Sequence, residues 1–223
     1  MPKQLGLNLP STPALGREDF LIAPSNAVAF ALIEGWQGWT AGKLLLCGPA
    51  GAGKSHLARV WAETTKADII AARDLGACDI PQVASKPLVV EDVPDIAGRP
   101  ECEEALFHLH NLMQAEGFAM LLTGQGAPKD WGIALPDLAS RIIGTPAAQL
   151  EMPDDALLAA LLAKLFADRQ LAPAPDLIEY LVRRIERSFE AARDIVSQLD
   201  AASLAEKRPI TRAFAARVLD KAS

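Results

Sequence analysis

With 223 residues, half of them apolar, the chain has ample material for a buried core and falls in the range of one large domain or of a medium one joined to a small one. Its net charge of −6 includes no basic block: residues 1–150 carry 11 Lys and Arg against 16 Asp and Glu, and the remainder carries 11 against 12, a balance that disfavours autonomous DNA binding through phosphate contacts. Cys47, Cys78 and Cys102 are odd in number and far apart, which excludes a disulfide framework and a C-x-x-C site and predicts buried thiols.

Residues 1–18 are rich in Pro, Gly, Ser and Thr, lack any period, and read as a mobile tail. They show no secretory pattern, and no apolar run in the chain approaches ~18 residues, so a cytoplasmic protein without membrane contact is expected. From Phe20 onward the pattern is regular. Buried strands are predicted at 43–47, 67–71, 87–91, 118–123 and 147–151, with helical spacing between most of them, as at 53–65 and 101–116. This alternation predicts an α/β domain over residues 19–152, a mostly parallel sheet covered by helices. After Pro153 the chain turns all-helical, and residues 153–223 are expected to form a small separate domain. Leu157, Leu158, Leu161, Leu162, Leu165 and Phe166 make one amphipathic stripe, and Leu177, Ile178, Leu181, Val182, Ile185 and Phe189 a second. Pro173 and Pro175 separate them, and Thr211 caps a last helix at 212–221.

The segment Gly48-Pro49-Ala50-Gly51-Ala52-Gly53-Lys54-Ser55 fits the phosphate-loop pattern G-x-x-x-x-G-K-[ST] at every fixed position, between a predicted strand and a predicted helix. Backbone N–H groups of such a loop turn inward on phosphate oxygens, and the helix adds the positive end of its dipole. Pro49, Gly51, Ala52, Gly53, Lys54, Ser55 and His56 are therefore candidates for binding ADP or ATP. Lys54 would reach the β and γ phosphates, and the Ser55 hydroxyl would hold Mg²⁺.

A phosphate loop needs a carboxylate element at the end of a neighbouring strand, and Glu91-Asp92 after Leu88-Val89-Val90 supplies it, with Glu91 as a second metal ligand. Thr123, ending another strand, would orient water near the γ phosphate. His108 and His110 stand two apart on a helix and point away from each other, which excludes a metal pair.

Taken together these pieces resemble the AAA+ ATPases, and their local wording resembles the DnaA family. Phe20-Leu21-Ile22-Ala23-Pro24-Ser25-Asn26 is similar to that family's adenine-pocket segment, which makes Leu21, Ile22 and Asn26 candidate cofactor-binding residues. Gly53-Lys54-Ser55-His56-Leu57 is similar to its G-K-[ST]-H-L, and Phe107-His108-Leu109-His110-Asn111-Leu112 to the helix after its acidic strand. The resemblance implies an AAA+ phosphate-loop sheet domain followed by a helical lid. It places Arg141 on the arginine finger, which acts in trans on ATP held by a neighbour. DnaA continues into a helix-turn-helix domain, whereas this chain stops with the lid, so a short relative is expected rather than a full initiator. Gln4-Leu5-Gly6-Leu7-Asn8-Leu9 resembles the peptide by which such relatives bind the sliding clamp of DNA polymerase, with Gln4, Leu5, Leu7 and Leu9 as the contact residues. The implied function is negative regulation of replication initiation: a nucleotide-bound, clamp-tethered protein that stimulates ATP hydrolysis by DnaA and touches DNA only indirectly.

Two departures bear on the chemistry. Glu91-Asp92 replaces the family's usual Asp-Asp or Asp-Glu, and Glu190 stands where the lid arginine is expected, with Arg187 and Arg193 nearby. Both point to a protein that binds nucleotide, ADP included, more than it turns it over. Self-association stays open. So do two other classes, an autonomous ATPase of helicase-loader type and a DNA-binding module using Arg183, Arg184, Arg187 and Arg193.

Overall fold

The computed structural model describes residues 20–222. Helix α1 (Ala27–Glu34) leads into strand β1 (Lys43–Cys47), after which the chain runs α2 (Lys54–Thr65), β2 (Asp68–Ala71), a single-turn α3 (Ile80–Val83), β3 (Leu88–Glu91), α4 (Pro100–Glu116), β4 (Met120–Gly124), α5 (Pro136–Ile143) and β5 (Ala147–Gln149). The five strands form one parallel sheet in the order β2-β3-β4-β1-β5.

Every residue of β1 is buried, as its continuous apolar run requires of a central parallel strand. Alternation along the strands divides the core in two. Leu45, Cys47, Val90 and Leu122 face Leu106 and Leu109 of α4 and Leu138 and Ile142 of α5. Leu44, Leu46, Val89 and Leu121 face Ile33 of α1 and Leu57 and Trp61 of α2.

The predicted strands are found within two residues of their expected ends. One shift of two residues, β4 starting at Met120 rather than 118, has a local cause. Gly117 closes α4 in the left-handed region (φ 74°), and Phe118 N–H returns to the Met113 carbonyl at 3.0 Å, so residues 117–119 turn the chain before the strand begins.

Four helices follow: α6 (Asp155–Asp168), α7 (Pro175–Val182), α8 (Phe189–Glu206) and α9 (Arg212–Ala222). They share a core that includes Leu158, Leu162, Phe166, Leu181, Val196 and Phe214. The second apolar stripe does not form one helix. It stops at Val182, the chain turns through 183–188, and Phe189 opens a new helix capped by Ser188, whose hydroxyl accepts from Ala191 N–H at 3.0 Å. The thiol expectation also needs one correction, because Cys78 is only half-buried and its Sγ lies near the Asp74 carbonyl.

The segment before α1 ties the two cores together. Phe20 belongs to the α2 side of the sheet, while Leu21 and Ala23 pack on the helical bundle. No helix among the described residues is long and apolar enough to cross a membrane.

Candidate functional site

The phosphate loop leaves the carboxyl end of β1 and enters α2. Lys54, only 8% exposed, curls back over its own loop and donates to the Gly48 and Pro49 carbonyls at 2.9 and 2.8 Å. Burial lowers its pKa, and the charge of Asp92 and the Cys47 thiol oppose that shift. Ser55 is exposed at the first turn of α2. Burial also pushes the thiol of Cys47, in the core at the end of β1, up to about 11 against the pull of Lys54, which keeps it neutral.

Gly51 and Gly53 are required by geometry. Both have positive φ (73° and 94°), and a Cβ on Gly51 would lie 2.5 Å from the Ser188 Cβ. On Gly53 it would meet the Phe189 ring at 3.2 Å. The start of α8 is therefore seated on the loop, and Phe189 N–H donates to the Gly51 carbonyl at 3.1 Å.

Across the cleft, β3 delivers the acids. Glu91 is half-buried, and its Oε1 is buried without a hydrogen-bond partner among the described residues. Asp92 is exposed in the left-handed region (φ 56°), and its N–H donates to Thr123 Oγ1 at 3.1 Å. Thr123 is itself buried, so its hydroxyl joins the ends of β3 and β4, while Gln125, just beyond β4, lines the cleft. Ser55 and Asp92 bring to the cleft hard oxygens of the kind Mg²⁺ takes alongside phosphate oxygens and water, whereas Glu91, at the end of β3, is not among the residues that line it. Bound there, Mg²⁺ would neutralise charge on the terminal phosphates.

The cleft brings together Gly51, Gly53, Lys54, Ser55, His56 and Asp92 of the residues expected there. His56 also meets Phe20 edge to face at 5.4 Å. Leu21, Ile22 and Asn26 lie on the adjoining segment. Asn26 is buried and shapes it, accepting from Ala23 N–H and donating to the Leu21 carbonyl, both at 2.9 Å, and Ile22 is exposed. Gln4, Leu5, Leu7 and Leu9 fall outside the described residues.

Arg141 is exposed on α5, with its guanidinium 5.4 Å from the centre of the Phe107 ring. Its charge is felt at Lys43, the first residue of β1, whose pKa is pushed down to about 8 by burial and then by Arg141.

A family model described as "Hda, lid domain" matches residues 154–219. The fold is similar to domain III of the replication initiation protein DnaA from Thermotoga maritima, at a TM-score of 0.82 and 16% identity, over 96% of this chain and 98% of that one. It also resembles AMPPCP-bound DnaA from Aquifex aeolicus (TM-score 0.72, 16% identity, 84% of this chain and 65% of that one). A third likeness is to a variant of RuvB from Thermotoga maritima (TM-score 0.70, 17% identity, 91% of this chain and 70% of that one). The chain has the fold of DnaA domain III, and its residues 154–219 match the Hda lid-domain family.

The lid completes the cleft, and it does so with two of the residues that the resemblance singled out and with Phe189. Phe189, Glu190 and Arg193 all line the cleft, whereas Arg187 pairs with Asp155 at 2.7 Å. The available signal was Ser188, a good N-cap directly before the new apolar period of Phe189, Ala192, Ile195, Val196 and Leu199.

Proposed function

We propose that this protein is a nucleotide-bound negative regulator of replication initiation that lends Arg141 to ATP held by DnaA, while its amino-terminal peptide tethers it to the sliding clamp on DNA. The reading draws on the Hda-type lid and the DnaA-like fold. One observation carries it: Arg141 stands on α5 against Phe107 of α4, where its charge reaches Lys43 at the start of β1, whereas the phosphate loop leaves from the other end of that strand. Five residues of parallel strand span roughly 16 Å, well beyond the reach of an arginine side chain. That separation favours a guanidinium that serves a phosphate held by another molecule rather than its own.

In that role Arg141 faces the γ phosphate of the partner's ATP. A fixed, fully charged fork is worth most where charge accumulates during phosphoryl transfer, and such fingers contribute about 10³–10⁵ in rate. Phe107 restrains the guanidinium without neutralising it. Lys54, Ser55 and Asp92 hold this protein's own ADP or ATP with Mg²⁺, which organises the lid and the partner-facing surface. Weak turnover of its own fits Glu91-Asp92 standing where two aspartates, or Asp then Glu, are usual.

The test is DnaA-bound ATP hydrolysis in a reaction containing clamp-loaded DNA. Arg141→Ala is expected to fold, to bind nucleotide as before and to stimulate nothing. An undiminished rate would refute the finger role. Multiple-cycle ATP turnover by the purified protein alone would instead favour an autonomous motor.

A further inference from the structure

Helix α8 begins on the phosphate loop with a carboxylate in its first turn. Glu190 and Arg193 are three residues apart, hence on one face of the helix, and both line the cleft that contains Lys54 and Ser55. Their placement is restrained at three points. Phe189 N–H donates to the Gly51 carbonyl at 3.1 Å, the Phe189 ring packs over Gly53, and Ser188 caps the helix by accepting from Ala191 N–H. Neither Glu190 nor Arg193 is in an ion pair among the described residues, whereas Arg187 is engaged with Asp155.

The cleft thus faces a bound phosphate chain with two cations, Lys54 and Arg193, and two acids, Asp92 and Glu190. Asp92 belongs to the strand-end acid pair and can be offset by Mg²⁺. Glu190 comes from the lid, apart from the strand-end pair that Mg²⁺ would offset, and shares its helix face with Arg193. It also complements the positive end of α8, which would otherwise favour an added anion. A third phosphate adds a further negative charge to the same cleft, so a carboxylate there penalises a triphosphate more than a diphosphate.

We propose that Glu190 is a specificity-determining residue that biases this pocket toward nucleoside diphosphate over triphosphate. The inference rests on the nucleotide-binding reading above and adds to it the residue that sets the preference. A like charge facing the third phosphate across a partly hydrated cleft is expected to shift the affinity ratio by about three- to tenfold.

The experiment is calorimetric titration of the full-length protein with ADP and with non-hydrolysable AMPPNP, at fixed free Mg²⁺ and low salt. Wild type is compared with Glu190→Gln and Glu190→Arg, each checked for folding by thermal melt. Glu190→Gln should tighten AMPPNP by about three- to tenfold while moving ADP less than twofold, and Glu190→Arg should go further in the same direction. A ratio unchanged in both variants, or an equal gain for both nucleotides, overturns the assignment while leaving nucleotide binding intact. Wild-type protein that binds neither nucleotide would overturn the nucleotide reading itself, and Glu190's role with it.

Discussion

The backbone N–H of Phe189 donates to the carbonyl of Gly51 across 3.1 Å, so α8 starts on the phosphate loop rather than beside it. Loop and lid are consequently one packed unit at this point, and a change in the loop is felt in the lid. Gly51→Ala places a Cβ 2.5 Å from that of Ser188 and forces an L residue to φ 73°. The backbone term alone costs about 1–2 kcal/mol, which is roughly tenfold in any equilibrium that needs the seated lid. Titration with ADP should show at least that loss. Adding Ser188→Gly removes the clash but not the backbone strain, so the double variant should recover only part of the affinity. Full recovery would mean that φ at Gly51 is unimportant.

Glu103 predicts a second sensitivity, far from phosphate. This carboxylate is 1% exposed, and it accepts from Gly98 N–H (2.8 Å), Ala134 N–H (3.1 Å) and Leu135 N–H (2.6 Å). It therefore joins the loop after the acid pair to the loop that leads into α5 and Arg141. Glu103→Gln keeps the shape but loses the charge and turns an NH₂ toward a donor, at about 2–3 kcal/mol. Glu103→Leu leaves three buried N–H groups unpaired and should cost more. Urea unfolding would measure both, and a Gln variant as stable as wild type would show that the clasp is slack.

Much of this was legible in the sequence, for reasons that differ by element. The five strands could be read because β1, β3 and β4 are buried on both faces and so are written as unbroken apolar runs. Lys54 and Ser55 could be placed because phosphate binding needs their register whatever the surrounding fold. The break before α8 was missed because Ile185 and Phe189 continue the helical spacing of α7, and only the cap at Ser188 opposes that continuity. Glu190 and Arg193 could be singled out only through the family resemblance, because their place in the cleft depends on α8 docking across more than 130 residues of chain onto Gly51.

Residues 4–9 carry a prediction of their own. An extended peptide with Leu5, Leu7 and Leu9 at alternate positions can lay apolar side chains into a groove while the Gln4 amide hydrogen-bonds, losing its ordering entropy only on binding. Gln4→Ala with Leu7→Ala should abolish capture by immobilised clamp and leave the thermal melt and ADP affinity unchanged. Retained capture would place the tether elsewhere.

Acid should destabilise the protein through His110. The ring is 5% exposed, neither nitrogen has a hydrogen-bond partner among the described residues, and its pKa is pushed down to about 4 by burial, then by Lys43 of β1 and Arg141 of α5. Lys43 is in turn held by Gln114 Oε1 at 3.1 Å, so no carboxylate of this group is on hand to favour an imidazolium. Between about pH 6.5 and 4 the unfolded chain binds a proton that the folded one refuses. Stability therefore falls on acidification through that window, by up to about 3 kcal/mol, and levels off below it. Lys43, pushed down to about 8, gives a slope of the same sign at alkaline pH, with stability rising from about pH 8 toward 10.5. His110→Phe removes the titrating group and keeps an apolar ring. Its stability, measured by urea unfolding from pH 7 to 4, should fall less steeply than that of wild type, and equal slopes would assign the acid sensitivity to other groups.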